Sequence, residues 1–282
     1  MRIGVPRTVD GQTVGVEGVI GRLKQWLSLP ATRGLGIDDP RTTILRREII
    51  RSKPFLRKIY LDWYGLILAS LPRIQGRVLE LGSGGGFFKE LLPALVTSEI
   101  VAWQGVDVIA DAGLLPFPSA SLRAIVMTDV FHHLPSPRSF LKEAGRCVRP
   151  GGVLAMVEPW VTAWSSMIYR HLHHEPFMPQ AVEWEFPSEG PLSGANNALP
   201  WMVFQRDRPR FEEEFPEWSI QRIEPFMPVR YLLSGGVSLR SLMPGFTYGL
   251  WSRAEEFLQG LIKDLAMFAL IVVRRRTASE VS

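Results

Sequence analysis

The chain has 282 residues, 46% of them hydrophobic, and a formal net charge of +4, enough for one large core with elaborations. Its single cysteine, Cys147, excludes an internal disulfide framework and a thiolate-rich zinc site. The most apolar run, Leu265 to Val273, is far shorter than the roughly 20 residues of a membrane-spanning helix and predicts a buried strand, and no continuous apolar stretch follows Met1, so the expected compartment is the cytoplasm.

Residues 1–40 read as an irregular lead-in with one short amphipathic candidate at Val19 to Leu27. From Thr42 to Leu71 apolar residues recur at three and four, and Pro54 divides the stretch into two helices. Residues 41–58 hold Arg41, Arg46, Arg47, Arg51, Lys53, Arg57 and Lys58 against Glu48 alone. That cluster is either a solvated helix face or a surface for an anionic substrate or a peripheral anionic membrane.

Arg77 to Leu81 predicts a strand that runs into Gly82-Ser83-Gly84-Gly85-Gly86, and a helix is expected from Phe87 to Leu95. Strands are expected at Val106 to Ile109, Ala124 to Thr128 and Val153 to Val157, with a helix at Pro137 to Val148 and a turn at Arg149 to Gly152. Residues 159–217 are rich in Pro, Trp, Gly and Asn, and two late strands follow at Ser219 to Glu224 and Ala266 to Arg274. Strands alternating with helices predict an α/β fold with a mainly parallel sheet.

A strand that ends in Glu80 and is followed by glycines at 82, 84 and 86 suits a backbone approaching a nucleotide cofactor at the carboxyl end of the sheet. The dinucleotide fingerprint would need glycine where Phe87 stands, which makes an NAD- or FAD-dependent oxidoreductase the alternative, beside a non-catalytic cofactor-binding module.

Four segments in order, Glu80 to Gly86, Asp111 to Phe117, Asp129 to Leu134 and Arg149 to Gly152, resemble the successive motifs of class I S-adenosylmethionine-dependent methyltransferases. The resemblance implies a Rossmann-like sheet with an antiparallel last strand, helices on both faces, and S-adenosylmethionine as cofactor. It implies that Gly82, Ser83, Gly84 and Gly86 hold the cofactor's methionine and ribose portion, with Glu80 near its amino group. Asp111 and Ala112 match the adenine-reading position, and Asp129 the loop beside the methionine moiety. Too few residues separate Glu99 from Asp107 for the family's usual helix and strand; Glu99 is the chosen ribose ligand and Asp107 the alternative. The implied organisation is an N-terminal extension (1–75), a cofactor-binding core (76–160), an inserted substrate-side lid (161–217) and C-terminal strands (218–275).

All five histidines, His132, His133, His171, His173 and His174, fall in the loops expected after the fourth and fifth strands. Histidine removes protons near neutral pH, so His174, beside Glu175, and His133 are the candidate general bases. A loop-shaping role for His132 and His133 is the alternative. His171, His173, His174 and Glu175 could form a metal cluster, but positions two apart on a helix face different ways and suit one metal poorly, so no metal site is expected. Trp160, Trp164, Trp184 and Trp201, with Tyr169, Phe177 and Phe186, either line a pocket for a flat or lipid-like acceptor or pack the lid onto the sheet. A small-molecule O or N acceptor is expected and nucleic acid is not, since no basic stripe is interleaved with aromatics. The oligomeric state is left open.

Overall fold

The structure, a computed structural model, describes Leu29 and residues 40–102, 105–173, 175–186, 190, 194–258 and 264–281. The amphipathic candidate at Val19 to Leu27 and the residue His174 lie outside the described residues. Prolines open the two leading helices, α1 (Pro40–Ser52) and α2 (Pro54–Ala69), at a position where the missing N–H has no intrahelical partner. Helix α2 buries Phe55, Ile59, Trp63 and Ile67, spaced by four along one face.

The strands are β1 (Arg77–Glu80), β2 (Leu95–Glu99), β3 (Val108–Ile109), β4 (Leu122–Thr128), β5 (Val148–Pro159), β6 (Trp218–Phe226) and β7 (Phe268–Arg275). They form one sheet in the order β3-β2-β1-β4-β5-β7-β6. β1 to β5 pair in parallel, and β7 lies antiparallel between β5 and β6. The remaining α-helices among the described residues are α3 (Phe88–Leu91), α4 (Pro137–Cys147), α5 (Ala163–His171), α6 (Leu199–Trp201), α7 (Arg208–Glu214), α8 (Arg230–Ser234), α9 (Tyr248–Phe257) and α10 (Ala278–Val281). The central strands are buried on both faces, and their alternation supplies two cores. Leu79, Ile125, Leu154 and Ile271 face α4 and the buried side chains Trp184, Met202 and Phe204. Val78, Val126, Ala155 and Leu270 face α2. Among the described residues no helix is long and apolar enough to cross a membrane.

Two local expectations are corrected. The helix expected over Phe87 to Leu95 is the single turn α3, because Pro93 forces Leu92 into an extended conformation and Leu95 already begins β2. The Arg149 to Gly152 turn is an irregularity inside β5: Leu122 pairs with Val148 and Ala124 with Val153, and Gly151 takes φ +80°. In the cationic run Arg41, Arg51, Arg57 and Lys58 are exposed, as a solvated face would have them, and several members also hold the fold. Lys53 is buried and donates to the carbonyls of Gly236 and Leu239, Lys58 to that of Gly245, and Arg51 pairs with Glu90 at 2.7 Å.

Helices α2, α8 and α9 are tied by one charged knot. Arg230 is bonded to the buried carboxylate of Glu255 and, through Nη1, to Asp62 (2.8 Å) and the Tyr248 hydroxyl (2.7 Å). The other Glu255 oxygen accepts from the N–H groups of Val229 and Arg230, at 3.0 and 2.9 Å, at the start of α8. Removing one partner strands a buried charge, which costs about 3–5 kcal/mol. Arg230→Met is therefore expected to lower unfolding stability by that amount in urea titrations; a loss below about 1 kcal/mol would show that the knot is not structural.

Candidate active site

The strand order reverses between β1 and β4, the crevice where open α/β sheets bind ligands at the carboxyl ends of their strands. The glycine loop that leaves β1 lines this crevice. Gly84 has φ +47° and Gly82 φ +65°, a region that side chains disfavour. A Cβ at Gly82 would also lie 2.7 Å from Val130, so the loop after β4 packs directly against the glycine loop. The loop is locked to β2: Ser83 donates its N–H to the Ser98 carbonyl at 2.9 Å, and the Ser98 hydroxyl donates to the Glu80 carbonyl at 2.8 Å.

Acidic groups line the crevice. Glu80 is buried, and burial pushes its carboxyl up to about 8, with Glu99 adding to the effect against a hydrogen bond from Ser83. Glu99, the last residue of β2, accepts from the Gly84 N–H; burial raises its pKa against that bond. Asp107, the alternative ribose ligand, is instead bonded to Thr97 and to Lys89, both of which border the same cavity as the glycine loop. Asp111 follows β3 and accepts from the Gly113 N–H at 2.8 Å, shaping its own turn beside Ala112. Helix α1 lies across the glycine loop, with the Arg47 backbone 2.4 Å from where a Gly85 Cβ would stand. A cavity of about 90 Å³ remains, bordered by Arg47, Glu80, Ser83, Gly84 and Gly86. Arg46, on the same helix, is near enough for its charge to act on Tyr60, Glu99 and Asp129. Sequence reasoning registered Arg46 only as one member of the cationic run.

The second half of the site is built around Glu158. This fully buried carboxylate accepts from the N–H groups of Val130 and Phe131, both at 2.8 Å, and holds His132 Nδ1 at 2.9 Å. Glu158 was missed from sequence, although a carboxylate closing the apolar run Val153 to Val157 is a signal for it. Asp129 takes φ +62°, rare without glycine, and its N–H donates to the Val157 carbonyl at 2.9 Å. Burial raises its pKa to about 6, with His132 acting the other way.

His132 and His133 both turn toward Glu175, which arrives from the segment after α5. Burial disfavours a charge on His132, yet Glu158 and Glu175 outweigh it and hold its pKa well above the ordinary value. Burial likewise opposes charge on Glu175, but its histidine partners bring its pKa well below the usual range. His173 lies 3.7 Å from Glu175 and is bonded to Asn197 at 3.2 Å, whereas His171 is exposed at the end of α5. The site thus joins His132, His133, His173 and Glu175 and leaves His171 outside. Of the aromatics, Trp160 and Trp184 are buried in the core, with Trp184 Nε1 bonded to Asp207 at 2.8 Å. Trp201 lines an open groove on the outer side of the 161–217 segment, with Val161, Arg170 and Val182.

A family model described as a methyltransferase domain matches residues 79–156. No curated protein matches the chain. Among solved structures, a geranyl diphosphate C-methyltransferase from Streptomyces coelicolor A3(2) is 12% identical; the alignment covers 94% of this chain and 100% of that one, at a TM-score of 0.51. An S-adenosylmethionine-dependent methyltransferase from Thermotoga maritima is 15% identical, with 84% of this chain and 100% of that chain covered and a TM-score of 0.49. At these identities the likeness is one of fold. The glycine cradle and its acidic lining fit a cationic cofactor. The matched segment spans β1 to β5, from the glycine loop to the strand that carries Glu158, and the chain is therefore built around a class I methyltransferase domain whose cofactor is S-adenosylmethionine.

Proposed function

We propose that the chain methylates an oxygen or nitrogen of a small-molecule acceptor bound between the glycine loop and the His132–His133–Glu175 cluster. The observation that carries this reading is the convergence of that cluster on the loop after β4, which packs against the glycine loop through Val130 and Gly82. When bound, S-adenosylmethionine supplies an electrophilic methyl group on a sulfonium. A heteroatom acceptor must lose a proton as it is methylated, and a cluster of imidazoles and carboxylates suits that task near neutral pH. His133 is the proposed principal residue. His174, next to Glu175 in the chain, is a further proposed contributor. The segment 161–217, which carries Glu175, is the proposed acceptor-side lid.

On the cofactor side, Gly82, Ser83, Gly84 and Gly86 are proposed to cradle the methionine and ribose portion, Glu99 to bind the ribose, Asp111 and Ala112 the adenine, and Asp129 to sit beside the methionine. Arg46 is the proposed partner of the cofactor's carboxylate. The cavity of about 90 Å³ is well below the ~300 Å³ of small ligand pockets, so the cofactor enters as α1 shifts.

The test of the reaction is incubation with methyl-labelled cofactor and a small-molecule cell extract. Label is expected in an O- or N-methylated small molecule. His133→Ala is expected to slow its formation by roughly 100-fold with cofactor affinity held within a few-fold. Label on protein or on carbon would contradict the acceptor class. Glu99→Ala is expected to weaken cofactor binding by roughly tenfold or more, and Asp107→Ala by much less, since a hydrogen bond to a charged group is worth about 1.5–3 kcal/mol; the reverse order would move the ribose site to Asp107. A cation bound beside Glu80 favours its ionised form, so binding should expel a proton and affinity should rise with pH up to about 8. Calorimetry in buffers of different ionisation enthalpy reads this directly. Proton release that persists in Glu80→Gln, or proton uptake by the native chain, would disprove the linkage.

A further inference from the structure

His132 and His133 are neighbours in the chain, yet the 3-10 turn Phe131–His133 directs both imidazoles at one carboxylate. His132 Nε2 lies 3.5 Å from one Glu175 oxygen and His133 Nε2 lies 3.6 Å from the other. Both separations exceed the ~2.7–3.2 Å of a good N–H···O hydrogen bond. They leave space among the three side chains for an ion whose nitrogen and oxygen ligands would stand about 2.1 Å away. One ligand atom from each of the three residues can be chosen so that all lie within 4.8 Å of one another. Their side chains are 1%, 9% and 10% exposed, so the cluster is walled from bulk water.

Glu158 supplies a second, independent feature. Its carboxylate holds His132 Nδ1 at 2.9 Å and is itself fixed by two backbone N–H groups. A carboxylate acceptor makes Nδ1 the protonated nitrogen and Nε2 the coordinating one, the arrangement that orients imidazole ligands in metal sites.

We propose that His132, His133 and Glu175 bind one divalent transition ion of the zinc class. Nitrogen and oxygen donors without thiolate suit such an ion, and three protein ligands leave a fourth position for the acceptor's oxygen or nitrogen. The inference rests on reading the cluster as the acceptor site; in it His133 serves that site as a ligand to the ion, which would acidify the bound acceptor, and not as the free proton acceptor.

The test is calorimetric titration of the chelator-treated full chain with Zn²⁺, with Co²⁺ as an optical probe of coordination. One ion per chain is expected, with the visible absorption of tetrahedral cobalt. Glu158→Gln should weaken Zn²⁺ binding by roughly 10–100-fold, the usual effect of losing an orienting partner. His133→Gln and Glu175→Gln, which remove ligands in near-isosteric form, should weaken it further. Circular dichroism of each variant checks the fold, and in His133→Gln and Glu175→Gln the S-adenosylmethionine affinity should remain within a few-fold of the native chain. No stoichiometric ion on the native chain, or Zn²⁺ affinity unchanged in both ligand variants, would overturn the proposal and leave a buried imidazole–carboxylate network. Failure of the native chain to bind S-adenosylmethionine would count instead against the methyltransferase reading.

Discussion

The site depends on the buried carboxylate of Glu158. Taking a carboxylate out of water is costly unless each oxygen finds partners, and here two backbone N–H groups and one imidazole supply them. Those partners are consecutive residues, Val130 to His132, so satisfying one side chain fixes a whole turn of the loop after β4. With the turn fixed, Asp129 is held at positive φ and Val130 fills the space beside Gly82, where a side chain would collide. The glycine loop and the histidine cluster are therefore two edges of one rigid crevice, positioned by the ends of β1, β4 and β5.

The N-terminal helices complete this crevice on the opposite side of the sheet from Trp184. Two of their cations serve architecture, Lys53 binding loop carbonyls and Arg51 pairing with Glu90, while Arg230 of α8 ties α2 to α8 and α9. Arg46 faces inward, where its charge is felt by Glu99 and Asp129. An acidic crevice with a guanidinium close by suits a ligand carrying both positive charge and one carboxylate, as S-adenosylmethionine does.

Local chemistry made much of this legible. The Pro54 break, the strand into Gly82, the short path from Glu99 to Asp107 and the apolar run in β7 each depend on neighbouring residues, and each is found as the sequence implies. Pro93 was equally visible and was passed over, which let an apolar stretch pass for a helix. What could not be read is long-range. Glu175 meets His132 only because the segment after α5 folds back over the loop after β4, and Asn196 and Asn197 fix that approach by donating their N–H groups to the carbonyls of His132 and Pro176. Periodicity carries no information about such a meeting. The long-range partners of Lys53 and Arg51 were unreadable for the same reason.

The central claim is that one crevice presents the cofactor's sulfur to the His132–His133–Glu175 cluster. A crystal structure of the chain with S-adenosylhomocysteine measures this most directly. The account predicts the homocysteine portion along Gly82 to Gly86 and beside Asp129, with the sulfur opening toward His133 and Glu175. A sulfur directed away from that cluster, with the histidines walled off from the bound nucleoside, would contradict it.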